Sequence, residues 1–197
     1  EVLSLLAGLG SCFDTASIPE IEMVLAAGAS PDRISFGNTI KKERDIARAY
    51  ELGVRLFAVD CLAEVEKIAR VAPGSKVFCR ILCDGAGAEW PLSRKFGCVP
   101  EMAPDVLEQA HRLGLEAYGV SFHVGSQQAD VSAWDQALAS AAAIFRQCAE
   151  RRLADRRCGC RIGNAVDLDA FIAGTDREGC RTLDELPEGC PHQRLPQ

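Results

Sequence analysis

The sequence predicts an α/β fold: a parallel sheet covered by helices, forming a partial (β/α)8 TIM-type barrel. Three observations carry this reading. Strand-like and helix-like segments alternate in five successive units through the first 150 residues. The strands are near-continuous apolar runs, as in sheets buried on both faces. Each unit takes roughly 20 to 40 residues, which is barrel spacing. A doubly wound sheet is the alternative, but no GxGxxG follows the first strand, so the usual dinucleotide signature is lacking.

The elements follow in order. Ser11 to Asp14 is a short strand, and Ser17 is the expected N-cap of the next helix. Pro19 lies in that helix's first turn, Glu20 stands three residues after Ser17 as in a capping box, and Gly28 ends the helix. Arg33 to Asn38 is the second strand, and a helix from Lys41 to Leu52 stops at Gly53. Val54 to Asp60 reads as a buried strand, and Leu62 to Ala72 as an amphipathic helix ended by Pro73-Gly74. Lys76 to Leu82 is the fourth strand, with a Gly- and Pro-containing loop from Asp84 to Gly97. A helix from Pro104 to Leu113, a strand from Glu116 to Gly125 and an Ala-rich helix from Val131 to Ala149 complete the five units.

Composition narrows the function classes. Of 197 residues, 48% are apolar and 25% charged, and mean hydropathy is +0.01, ordinary for a globular chain. A net charge of −6 argues against nucleic acid or an anionic membrane as the main partner. No apolar run approaches the roughly 20 residues of a membrane span. The opening EVLSLLAGLG lacks a starting Met, and it is too short and without the cationic start of a signal peptide. Ten cysteines are scattered singly through apolar segments. They read as small buried hydrophobes in a reducing cytoplasm rather than as a disulfide framework.

The pattern breaks at residue 151. The expected organisation is therefore a barrel domain over 1–150 and an irregular or disordered tail over 151–197. From Arg151 the cations are all Arg, and only Asp167 to Gly174 has helical spacing. Cys158, Cys160, Cys180, Cys190 and His192 match no common zinc spacing, so no metal is expected. The abrupt switch to Arg and Cys looks like translation of a shifted reading frame.

Barrel chemistry sits at the C-terminal ends of the strands. The polar residues there are Asp14 and Ser17, then Asn38, Asp60, Arg80 and Asp84, and finally His123, Gly125 and Ser126. Arg80 interrupts an apolar strand, and an unpaired buried guanidinium is costly. It either serves a ligand or forms a structural salt bridge with a carboxylate such as Asp14. His123 has apolar neighbours and is either a core histidine or a site residue. The Gly125-Ser126 that follows favours a site, because glycine admits a close ligand and a serine hydroxyl can bind a phosphate oxygen.

These residues also carry a resemblance. FDTAS with PEIE (Phe13 to Glu22), RILCD (Arg80 to Asp84), PLSRKFG (Pro91 to Gly97) and GVSFHVGSQ (Gly119 to Gln127) resemble the ornithine/lysine/diaminopimelate decarboxylase family. The resemblance covers about residues 1 to 150 and implies an alanine-racemase-like barrel that binds pyridoxal 5'-phosphate (PLP). It implies decarboxylation of ornithine to putrescine, or of lysine to cadaverine, in polyamine biosynthesis by a cytoplasmic homodimer. By the same resemblance, His123 stacks on the pyridine ring and Ser126, with Gly125, holds the phosphate. Asp14, Arg80 and Glu20 surround the reactive end, and Lys95 reaches the subunit interface.

The match also has gaps. The family's cofactor-linking lysine, in a YAVK-type motif before FDTAS, does not occur in this sequence. Nor do the Gly-rich phosphate loop, the EPGR-like stretch and the C-terminal β domain. Lys41 and Lys42 match another segment and read as solvated helix-start residues. An inactive fragment of a decarboxylase is therefore expected, with a non-catalytic paralogue, a decoy like the family's antizyme inhibitors, as the alternative.

Overall fold

The structure is a computed structural model that describes residues 1–83, 88–90, 95–130, 132–153 and 165–167. Five strands form a parallel sheet in strict sequential order: β1 (Phe13–Thr15), β2 (Ile34–Phe36), β3 (Leu56–Val59), β4 (Lys76–Arg80) and β6 (Glu116–Ser121). Between them run α2 (Ile18–Ala26), α3 (Glu43–Glu51), α4 (Leu62–Val71) and α5 (Ala103–Arg112), and α6 (Ala133–Glu150) follows. A doubly wound sheet would reverse strand order at a switch point; sequential parallel order is that of a barrel wall.

Helical periodicity explains the packing. On α6, Ala137, Ala141, Ile144, Phe145 and Cys148 are buried, a stripe at spacings of three and four. Val65 and Ile68 of α4, and Val106, Leu107 and Ala110 of α5, do the same. They pack with the strand residues Phe57, Val59, Val77, Cys79 and Val120, all fully buried, in one core. Each large side chain buried there contributes about 1.5–3 kcal/mol.

Some elements differ from expectation. An apolar helix, α1 (Val2–Gly8), precedes β1 and has no buried residue. The expected loop 84–97 contains β5 (Ala88–Trp90), which pairs antiparallel with β7 (Ser126–Gln128) in a separate two-stranded sheet. The fifth barrel strand ends at Ser121, whose register partner is Arg80, so His123 lies beyond the strand rather than within it.

Lys41 is not solvated. It is buried between β3 and α4, with Nζ 2.9 Å from Glu64 Oε1 and donating to the carbonyls of Ala58 (2.6 Å) and Asn38 (2.8 Å). Hydrophobic periodicity misses it because a capped ammonium substitutes for an apolar side chain. Cysteine burial is partial: Cys79, Cys98 and Cys148 are buried, but Cys12 is exposed.

In the tail, Ala165–Asp167 form β8, antiparallel to β6. The next strand of a barrel would be parallel, so β8 does not continue the wall. The segment 168–174, the tail cysteines and His192 lie outside the described residues. Among the described residues no helix is long and apolar enough to cross a membrane, and no group of three or more His, Cys, Asp or Glu could hold a metal.

Candidate functional site

The carboxyl ends of the five parallel strands gather the polar residues that the sequence singles out. Asp14 lies within β1, where Ser35 Oγ of β2 donates to its Oδ1 at 2.6 Å. Its carboxylate fills the space beside Gly37, where a Cβ would collide with Asp14 Oδ1. Protein atoms crowding Asp14 raise its pKa, against the Ser35 hydrogen bond and the Arg80 charge, which lower it. Glu20, in the first turn of α2, adds to the rise.

The capping box is only half formed. Glu20 Oε2 accepts the Ala16 N–H at 2.6 Å, whereas Ser17 makes no side-chain cap bond.

Arg80, half-buried, ends β4. In a flat sheet it would stand three strand spacings, roughly 14 Å, from β1. Its charge is nevertheless among the causes that lower the Asp14 pKa, as expected when a sheet curls toward a barrel. No ion pair joins the two among the described residues, so the structural salt bridge weighed above does not form. The Arg80 guanidinium instead faces the Phe96 ring, 5.7 Å from its centroid.

Beyond β6 the chain leaves the sheet, with Phe122 and Val124 buried and His123 half-buried between them. The Gly125 N–H donates to His123 Nδ1 at 2.9 Å, with Gly125 at φ +103°, where other residues are strained. Ser126, half-buried, opens β7.

The structure thus brings Asp14, Arg80, His123, Gly125 and Ser126 to one edge of the sheet. Glu20 flanks them, and Lys95 is exposed with its ammonium 5.4 Å from the Phe96 centroid. Asn38 is engaged locally, its Oδ1 accepting the Ile40 N–H at 3.4 Å and its carbonyl accepting from Lys41. Asp60 accepts from Gly97, and Asp84 lies outside the described residues.

Cys83 was missed. It sits beside the His123 backbone and near Arg80, and burial raises its thiol pKa. Its place immediately before Asp84 is the one signal that could have marked it.

The donor set suits a flat, phosphate-bearing aromatic cofactor. It offers an imidazole face held by its own backbone, a glycine that brings the main chain close, a hydroxyl and a guanidinium. Fold and site together define an α/β-barrel protein with its polar groups at the strand ends. Residues 1–154 match the family described as pyridoxal-dependent decarboxylase, pyridoxal binding domain. The chain belongs to that family, as the FDTAS, RILCD, PLSRKFG and FHVGS segments suggested, and PLP is the family's cofactor.

Two curated relatives and one solved structure illustrate the match. The chain is 39% identical over 150 residues to a lysine/ornithine decarboxylase of Selenomonas ruminantium, covering 76% of this chain and 38% of that protein. It is 44% identical over 150 residues to a chloroplastic ornithine decarboxylase of Nicotiana glauca, covering 75% and 34%. The crystal structure of lysine decarboxylase from Selenomonas ruminantium superposes with a TM-score of 0.72 at 34% identity, covering 89% of this chain and 48% of that one. The chain spans between a third and a half of the length of these proteins.

Proposed function

We propose that this chain forms the cofactor-holding part of a PLP-dependent decarboxylase acting on a basic amino acid, L-ornithine or L-lysine. The observation that carries the reading is the convergence of Asp14, Arg80, His123, Gly125 and Ser126 on one sheet edge in a chain of this family. When bound, PLP supplies an electron sink for the carbanion left by loss of CO2.

The protein's own groups do the rest. His123, its Nδ1 occupied by the Gly125 N–H, presents a flat face that holds a ring in one orientation. Ser126 would donate a hydrogen bond to a phosphate oxygen, and Arg80 and Asp14 would hold opposite charges at the reactive end. Glu20 adds a second carboxylate there. Ornithine and lysine differ by one methylene, a distinction worth only about 1–3 kcal/mol, so the reading takes both as its substrate class.

The domain reading is residues 1–150 as barrel and 151–197 as a separate tail; the family match covers residues 1–154. A cytoplasmic homodimer is the proposed working form. The exposed Lys95 suits an interface.

The test is PLP titration of the 197-residue chain by equilibrium dialysis, beside Ser126→Ala. Saturable binding that weakens in the variant is the expected result. Binding that is absent, or indifferent to Ser126, overturns the reading.

A further inference from the structure

Asp60 directly follows β3 at the carboxyl edge of the sheet, two residues before the first residue of α4. The N-cap of α4 is Cys61, which makes no side-chain cap bond, and the carboxylate before it turns away from the helix: Asp60 Oδ2 accepts the backbone N–H of Gly97 at 3.1 Å. The segment it grips lies against the end of β4. Cys98 bridges in parallel to Ile81, its N–H donating to the Arg80 carbonyl at 3.0 Å and its carbonyl accepting from the Leu82 N–H at 2.9 Å. Gly97, at φ +110°, approaches so closely that a Cβ would stand 2.9 Å from the Ile81 carbonyl carbon. The next residue back is Phe96, whose ring faces the Arg80 guanidinium.

Three hydrogen bonds thus seat residues 97 and 98 beside the strand end that bears Arg80, and only the one from Asp60 comes from a different strand connection. The bridge between Cys98 and Ile81 leaves the half-buried Gly97 N–H without a ladder partner, and Asp60 supplies an acceptor for it. A charged acceptor makes that bond stronger than a neutral one.

We infer that Asp60 is a positioning residue: through the Gly97 N–H it fixes the 96–98 segment so that Phe96 keeps Arg80 aimed at the sheet's carboxyl edge. The inference rests on the reading of Arg80 as a site residue.

The test uses the 197-residue chain and two readouts. The first is the rate at which phenylglyoxal modifies Arg80, followed by mass spectrometry with Arg55 as internal reference. Asp60→Ala should raise the Arg80 rate about two- to fivefold relative to Arg55, the scale of one lost cation–π contact. Asp60→Asn keeps an oxygen acceptor and should restore the parent rate. Phe96→Ala should match Asp60→Ala, and the double variant should show no further rise. Should Asp60→Ala fail to fold, Phe96→Ala and Asp60→Asn carry the comparison. An Arg80 rate that stays constant in the folded variants, or rises equally with that of Arg55, overturns the inference.

The second readout is PLP affinity by equilibrium dialysis. It should fall in Asp60→Ala but not when Asp60→Ala is added to Arg80→Ala. Coupled reactivity with unchanged PLP affinity would support the positioning role and overturn the assignment of Arg80 to the cofactor site.

Discussion

Gly125 donates its backbone N–H to Nδ1 of His123, two residues earlier, at 2.9 Å. The bond makes Nδ1 an acceptor, so in the neutral ring the proton resides on Nε2. It also ties the ring's orientation to a backbone conformation that glycine tolerates best, with φ at +103°. Ring, turn and the adjacent Ser126 therefore behave as one unit.

Gly125→Ala tests that unit directly. An alanine at this φ is strained by about 1–3 kcal/mol. The expected result is a drop in Tm of about 3–10 °C, read by differential scanning calorimetry. An unchanged Tm would mean that the turn relaxes without cost.

His123→Ala and Ser126→Ala should differ in kind. Loss of a stacking face is worth on the order of 1 kcal/mol in ground-state PLP binding, roughly a fivefold weaker affinity. Loss of the Ser126 hydroxyl removes a charge-assisted hydrogen bond of about 1.5–3 kcal/mol, roughly a 10- to 150-fold weaker affinity. Both variants should keep Tm within a few degrees of the parent. If His123 is a core residue instead, alanine lowers Tm and leaves PLP affinity per folded molecule unchanged.

The strand-end residues were legible because apolar strands ending in polar groups leave a strong mark in the sequence. Asp14, Arg80 and His123 each follow or interrupt such a run. The β5–β7 ladder was not legible, because three-residue strands in a Gly-rich context carry no periodicity. Lys41 was misread for a different reason. Its charge is neutralised by Glu64, which is 23 residues away in sequence, and one-dimensional patterning cannot register a partner at that distance. Cys83 shows the same limit, since its place in the site depends on β4 lying beside β6.

The buried Lys41 gives a prediction about chemistry and one about stability. Desolvation lowers its pKa, which would favour a nucleophilic amine, but Nζ already bonds to Glu64, Ala58 and Asn38. Borohydride reduction of the chain with PLP should therefore leave no pyridoxyl group on Lys41, as judged by peptide mass spectrometry. Labelling there would assign it a cofactor-linking role. Lys41→Met should cost about 3 kcal/mol, because Glu64 would keep only Lys67 as a counter-charge. Adding Glu64→Gln should recover part of that loss in urea unfolding; a double variant at least as unstable as Lys41→Met would contradict the pairing.

Asp14 sets stability against function in a way that pH can read. Its pKa is raised above the ordinary value of 3.8, first by crowding of protein around the carboxyl, with Glu20 adding to the rise. A carboxyl with a raised folded pKa binds its proton more tightly when folded than when unfolded. Its contribution to stability is fully present below pH 3.8 and is lost as pH rises through the folded value. Asp14→Asn removes that loss while keeping an oxygen for the Ser35 hydroxyl, which donates at 2.6 Å in the parent. The variant should therefore match the parent in Tm near pH 3.5 and exceed it by about 1–2 °C at pH 7, a small gap because the side chain is exposed and screened. If the attraction of Arg80 outweighed crowding, the sign would reverse and Asp14→Asn would melt lower at pH 7. A carboxylate kept where its charge is poorly accommodated is characteristic of a functional group. The stabilised variant should accordingly bind PLP less well than the parent, and a gain in Tm without that loss would remove Asp14 from the site.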